Sequence, residues 1–194
     1  YLNNYLLLYI FIFIFSKNIK IFIMAANVPL TIQCCIYNNY GNTVSIGSNN
    51  LQLGYSIPNL YWALVVDRTS LKVVENFTFS DNSDVPAQLV PYENNAQYMF
   101  FLSTMQLSST NLPVGNFYNF LVSQGAGKEL QRIEQIYAAL NCGTWGNLGY
   151  VLVTTLDSTP GFDYSGYIDN AFISTLQLIP IQVGSGVLYT PEVY

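Results

Sequence analysis

The sequence predicts an α+β fold: mixed or antiparallel β-sheets packed with one main amphipathic helix at residues 128–140. Three observations predict it. Apolar runs of strand length recur at Leu60–Asp67, Tyr98–Ser103 and Tyr150–Leu156, as buried strands require. Leu71–Phe79 alternates with period two, the mark of a half-buried strand. Leu130, Ile133, Ile136 or Tyr137, and Leu140 recur instead at three- and four-residue steps, which lines one face of a helix.

Residues 1–23 stand apart. All but Ser16 are Tyr, Leu, Asn, Ile, Phe or Lys, whose codons can consist of A and T alone, and every one of the 13 glycines and 8 prolines follows Met24. Three readings stand. The segment is a translated leader outside the fold, with Met24 as the start. Or Leu6–Phe15 is the apolar core of an export signal, although Lys17 and Lys20 follow it rather than precede it. Or the run continues to Ile23 as a membrane anchor, at a cost of a few kcal/mol for Asn18 and the two lysines. The protein is cytoplasmic under the first reading and secreted or surface-located under the second. It meets a membrane only under the third. Residues 24–194 predict a single domain, with a core at about 55–160 and a C-terminal β extension, because no repeat or Pro- or Ser-rich linker divides them.

Thr31–Tyr37 (TIQCCIY) predicts a strand. Asn38–Gly54 is polar and turn-rich and predicts a loop with at most one short strand at Val44–Ile46. Leu60–Asp67 and Leu71–Phe79 predict a hairpin about Arg68-Thr69-Ser70, with Leu71, Val73, Glu75, Phe77 and Phe79 on one face. Asp81 or Ser83 is placed to cap a short helix near Val85–Val90. Asn111–Asn116 reads as a turn and Phe117–Val122 as a short helix or 3₁₀ turn. Gly125-Ala126-Gly127 then opens the helix Lys128–Leu140. Glu129 suits its N-terminal dipole, Glu129, Arg132 and Gln135 are expected to face water, and Asn141 and Gly143 supply the stop. Asp157–Asp169 predicts a loop. Ala171–Val183 alternates, with Pro180 marking a break or a sheet edge. The tail from Leu188 predicts no regular element.

Charge and composition exclude whole classes of chemistry. Six Lys+Arg against eleven Asp+Glu cannot build a phosphate-tracking groove, which argues against nucleic acid. The absence of histidine removes Ser-His-Asp and Cys-His catalysis and His-ligated metals. Gly125-x-Gly127-Lys128 fails as a phosphate loop, because Val122 replaces the leading glycine and Glu129 the hydroxyl residue. Asp81-Asn82-Ser83-Asp84 could touch Ca²⁺ but lacks the glycine and distant glutamate of an EF-hand loop, so a capping turn is expected. No cofactor and no metal is expected. Cys34 or Cys35 could bridge to Cys142, while buried thiols on strands are the plainer reading. Asn76-Phe77-Thr78 is a glycosylation sequon.

The aromatic content supplies the candidate ligand-binding residues. Trp145 lies in a Gly-rich stretch between helix and strand, and Tyr164 and Tyr167 lie in the segment expected as a loop. Each could offer a ring face to a ligand or pack on a neighbour. No catalytic residue is assigned. Asp157, Asp163 and Asp169 stand among these tyrosines, and two such carboxylates, Asp163 and Asp169 foremost, could form a glycosidase pair.

The order of pieces from Leu60 to Leu156 resembles the ILEI/PANDER-like domain. LYWALVVDRTSLKVVENFTF (Leu60 to Phe79) has the form of its opening strand, turn and Phe-ended strand. QYMFFLS (Gln97 to Ser103) is similar to its central buried strand, IYAALNCG (Ile136 to Gly143) to its helix end, and YVLVTTL (Tyr150 to Leu156) to its aromatic-led strand. The resemblance implies a compact ILEI/PANDER-like sandwich with no known catalytic role, found in relatives as a secreted signalling protein and as the sugar-binding stem domain of a glycosyltransferase. The family's binders place charged residues at three points where this chain has Ser56–Asn59, Thr104–Gln106 and Thr144–Asn147, all uncharged. The resemblance therefore carries over the fold and no binding residue. The expected function is a non-enzymatic interaction or carbohydrate-recognition module whose partner is a neutral glycan or a protein. The alternatives are a structural, self-associating surface protein and a glycoside hydrolase using Asp163 and Asp169.

Overall fold

The computed structural model describes residues 28–35, 41–54, 58–140, 148–157, 161–167, 173–184 and 186–192. They carry β1 (Leu30–Cys35), β2 (Asn42–Ile46), β3 (Asn49–Leu53), β4 (Leu60–Asp67), β5 (Val73–Phe79) and β6 (Asn95–Met105). Then come α1 (Gly115–Ser123), α2 (Lys128–Leu140), β7 (Leu148–Leu156), β8 (Phe162–Tyr167), β9 (Ile173–Val183) and β10 (Gly186–Pro191). All strand pairings among the described residues are antiparallel, in two sheets of five: the first runs β10-β9-β1-β2-β3 and the second β5-β4-β6-β7-β8. The protein is an α+β sandwich with helices packed on one side.

The second sheet is the middle layer. Along β4, Trp62, Leu64 and Val66 enter the core shared with the first sheet, while Tyr61, Ala63 and Val65 enter the core beneath the helices. β6 and β7 divide in the same way: Phe101 and Val153 face one core, Phe100 and Leu152 the other. A strand with two dry faces has no polar side to show, so these strands are written as unbroken apolar runs. The hairpin of β4 and β5 forms as expected, but β5 does not keep one face. A register shift between Val65 and Val66 places Glu75 opposite Val65 and Val73 opposite Val66. Leu71 and Val73 therefore pack against the inter-sheet core and Phe77 and Phe79 against the helix-side core. The side chain of Asp67 ties the turn by accepting from the Thr69 and Ser70 amides and the Ser70 hydroxyl, and Gln97 adds a fourth bond. These bonds hold its carboxyl at about 2, below the ordinary 3.8.

On the helix side, Tyr61 stacks on Phe79 at 5.0 Å, and Phe117 of α1 meets both rings edge-on at 5.3 Å. The Tyr61 hydroxyl donates to the Asn111 carbonyl. No regular α-helix forms near Val85–Val90, where Pro86 and Pro91 interrupt the ladder and a 3₁₀ turn covers Val90–Tyr92. Asp81 instead accepts from the Ser83 and Asp84 amides. This turn presents the Ser83 carbonyl to the Phe117 amide in the first turn of α1.

The first sheet departs most from expectation. Asn42–Leu53 is a hairpin of β2, which contains the short strand expected at Val44–Ile46, and β3, which was expected as loop; Gly186–Pro191, running into the tail expected to be irregular from Leu188, is β10. Both hairpins turn on a glycine with φ of 59°, Gly47 and Gly184, followed by a serine. That backbone conformation is open to glycine and strained for other residues, and it suits a two-residue hairpin. The termini of the fold meet here, because β1 pairs with β9 from Leu30↔Leu178 to Cys35↔Ile173. Pro180 does mark a sheet edge, since β9 runs past the end of β1 there. The inward residues of this sheet, including Ile32, Val44, Leu178 and Tyr189, close on Trp62, Phe101 and Val153. Cys34 is buried among them. Asn42 is the polar bridge between the sheets. Fully buried, it donates to Ser103 Oγ at 2.6 Å and to the Thr104 carbonyl at 3.0 Å. Cys142 and the Asn141–Gly143 stop lie outside the described residues.

Candidate functional site

Asp157–Asp169 was expected as a loop, but Phe162–Tyr167 forms β8, the edge strand of the second sheet, and packs against α2. Strand alternation sorts its side chains. Phe162 joins the inter-sheet core. Asp163 and Ser165 turn to the helix, and Tyr164 between them is 45% exposed.

Asp163 holds the first turn of α2. Its Oδ2 accepts the Gly127 amide at 2.9 Å and the Tyr150 hydroxyl at 3.3 Å. A carboxylate at this point meets both an unsatisfied helix amide and the positive end of the helix dipole. Gly127 fits closely: a Cβ there would stand 2.9 Å from Asp163 Oδ1, so the carboxylate would have to shift. The approach to α2 read from Gly125-Ala126-Gly127 is thus a close fit rather than a slack one. Tyr150 is fully buried, and burial first, with the Asp163 charge next, pushes its phenol well above 10. It remains a protonated donor throughout the physiological range.

One turn further along, Glu129 and Arg132 reach the outer edge of β8, Arg132 remaining half exposed to water as expected and Glu129 partly covered. Glu129 Oε2 accepts from Ser165 Oγ at 2.7 Å and from the Ser165 amide at 3.3 Å. Arg132 Nη2 donates to the Ser165 carbonyl at 2.9 Å and to its Oγ at 3.0 Å. The two charges pair with each other at 3.0 Å. Both backbone groups of Ser165 are thereby capped by α2, which closes the sheet edge at that residue. The pair's worth lies in this geometry, since a largely solvated ion pair adds only about 0–1 kcal/mol by itself.

Of the three predicted ligand residues, Tyr164 lies on the other face of β8, the Phe162 side opposite Val151 and turned away from α2. Tyr167 ends β8 opposite Leu148, and its side chain lies outside the described residues, as does Trp145 entirely. Asp169 lies outside them too. Sequence reasoning missed Gly127, Tyr150, Arg132 and Ser165. The alternation of Phe162 and Tyr164 with Asp163 and Ser165 was the available signal for a strand, whereas nothing local pairs Ser165 with a residue 33 positions away. Asn76 of the sequon accepts the Trp62 indole N–H at 2.8 Å. Among the described residues no three Cys, Asp or Glu side chains gather as a metal site, and no helix is long and apolar enough to cross a membrane. Comparison with family models, curated proteins and solved structures found no match.

Proposed function

We propose that the chain is a non-enzymatic recognition module of ILEI/PANDER-like type, which binds a neutral glycan or a protein partner at the exposed edge strand β8, around Tyr164. One observation carries this: Tyr164 is exposed on a strand whose neighbouring residues, Asp163 and Ser165, are both hydrogen-bonded to α2. A ring presented from a clamped strand is preorganised and loses little freedom on binding. The family reading is supported by the order of the paired strands β4 and β5, the buried β6, the helix α2 and the strand β7. Recognition is favoured over hydrolysis because Asp163 already accepts two hydrogen bonds, from Gly127 and Tyr150, which commit it to holding the helix.

The test is a glycan array and an affinity capture with the full chain, repeated with Tyr164→Ala and Trp145→Ala. The proposal expects a bound glycan or protein that Tyr164→Ala releases without lowering thermal stability. Binding indifferent to both substitutions contradicts the site. Glycosidase turnover that disappears in Asp163→Asn contradicts the non-enzymatic reading.

A further inference from the structure

No strand of the first sheet contains a charged residue. The sequence has no Asp, Glu, Lys or Arg from Ile21 to Val66 or from Asn170 to Pro191. Nine acids and four bases lie instead between Asp67 and Asp163, the stretch that builds the second sheet and both helices. The outward face of the first sheet is ordered by register. Gln52, Thr43, Gln33 and Thr175 form one cross-strand row, and the next runs from Asn50 through Thr31 to Gln177. Beyond Leu178 the same face becomes apolar. Ile179, Ile181 and Val183 are 36%, 46% and 53% exposed, and Leu188 stands opposite Ile181. Single exposed aliphatics are ordinary, whereas three in succession on a face whose strands carry no charged residue mark a contact surface.

The β9–β10 side of this sheet is poorly suited to pairing, while the face is exposed. The Gln177 carbonyl accepts the Glu192 amide at 2.9 Å, so the odd residues of β9 direct their backbone groups to β10. The even residues point the other way, toward β1, which ends at Leu30 opposite Leu178. Pro180 is even, and its missing N–H falls on the open stretch. The same alternation puts the missing N–H of Pro191 on the outer edge of β10. Both prolines blunt edges that could otherwise recruit another strand.

We infer that the outer face of the first sheet is a self-association surface, on which a second copy of this chain packs face to face about a two-fold axis. The copy is chosen by charge. Each chain carries a formal net charge of −5, so two copies repel wherever their acidic sides meet, and this face, with Glu192 alone at its margin, is where they approach with least like charge. The area suits it. Five strands of five to eleven residues span roughly 500 Å² in projection at the usual spacings, and side-chain relief brings this near the ~800 Å² per partner of a stable interface. A two-fold axis lays the Ile179–Val183 row of each copy against its counterpart. Glu192 follows β10 at the margin, where a polar rim belongs.

Sedimentation of the full chain across a concentration series tests this. The expected result is a reversible dimer that Ile181→Glu weakens about tenfold or more, with Ile179→Glu as a second variant and unchanged melting for both. Val122→Glu on α1, whose parent side chain is also exposed, leaves the dimer intact, and mixing Ile181→Glu with Ile181→Lys chains restores it. A monomer at every concentration overturns the inference, as does a dimer that ignores Ile181→Glu or is equally weakened by Val122→Glu. A dimer lost on deleting residues 1–23 but indifferent to Ile181→Glu assigns the contact to that segment and overturns it too.

Discussion

The first sheet keeps one face on the core and one on solvent, and the second is covered on both. The two also protect their edges differently. The second closes β8 with a charged pair from α2 that satisfies both backbone groups of Ser165. The first places Pro180 where β9 outruns β1 and so removes a donor instead of covering it. The difference teaches where this fold spends its charged residues. They clamp the helix layer to the middle sheet, while the first sheet is left uncharged and open on its outer face.

The comparison predicts unequal sensitivity. Trp62 is 2% exposed between the sheets and donates to Asn76. Trp62→Ala is expected to lose about 3–5 kcal/mol in denaturant unfolding. The outward Thr43→Ala on the first sheet should change stability by no more than about 0.5 kcal/mol. A loss at Thr43 as large as at Trp62 would erase the distinction.

Asn42→Ala comes next. Ser103 Oγ and the Thr104 carbonyl each lose a buried donor, at a cost of about 1–3 kcal/mol, read from the same unfolding midpoint. Gly127→Ala pushes a methyl group against Asp163 and is expected to remove about 1–2 kcal/mol through the displaced helix bond. It should also weaken any ligand held at Tyr164.

The pH dependence is expected at both extremes. Tyr150, Tyr61 and Tyr189 have phenols raised by burial, so the stability they contribute is full below about 10, the unfolded value, and is lost as pH rises toward the folded values. Alkaline unfolding should shift to higher pH in Tyr150→Phe. Asp67 behaves oppositely. Its folded value of about 2 lies below the ordinary 3.8, so its contribution is present above that ordinary value and fades as pH falls toward 2. Asp67→Asn should flatten the acid limb slightly, the smallest effect here because the side chain is exposed.

The same contrast explains which elements were legible. LYWALVVD, YMFFLS and YVLVTTL have no polar face and read directly as buried strands, and the stripe through Leu130 and Ile133 identifies α2. NTVSI, NNLQL and GVLYTP carry Asn, Gln, Ser and Thr on a wet face, so NTVSI reads at most as a short strand at Val44–Ile46, NNLQL as loop and the run from Leu188 as tail. Gly-Ser at 47–48 and 184–185, each flanked by alternating residues, was the overlooked hairpin signal. The face switch within β5 follows from a bulge that leaves no mark on its alternation. The site was legible only as Tyr164, because the contacts of Glu129 and Arg132 with Ser165 depend on how α2 crosses β8.

Hydrogen exchange at two edge amides tests the contrast most directly. The Ser165 amide is capped by Glu129, and the Gln182 amide points past the end of β1, where no described residue pairs with it. The account predicts slow exchange at Ser165, accelerated in Glu129→Ala, and fast exchange at Gln182 in both proteins. Equal exchange at the two amides, or protection at Ser165 that survives Glu129→Ala, would contradict it.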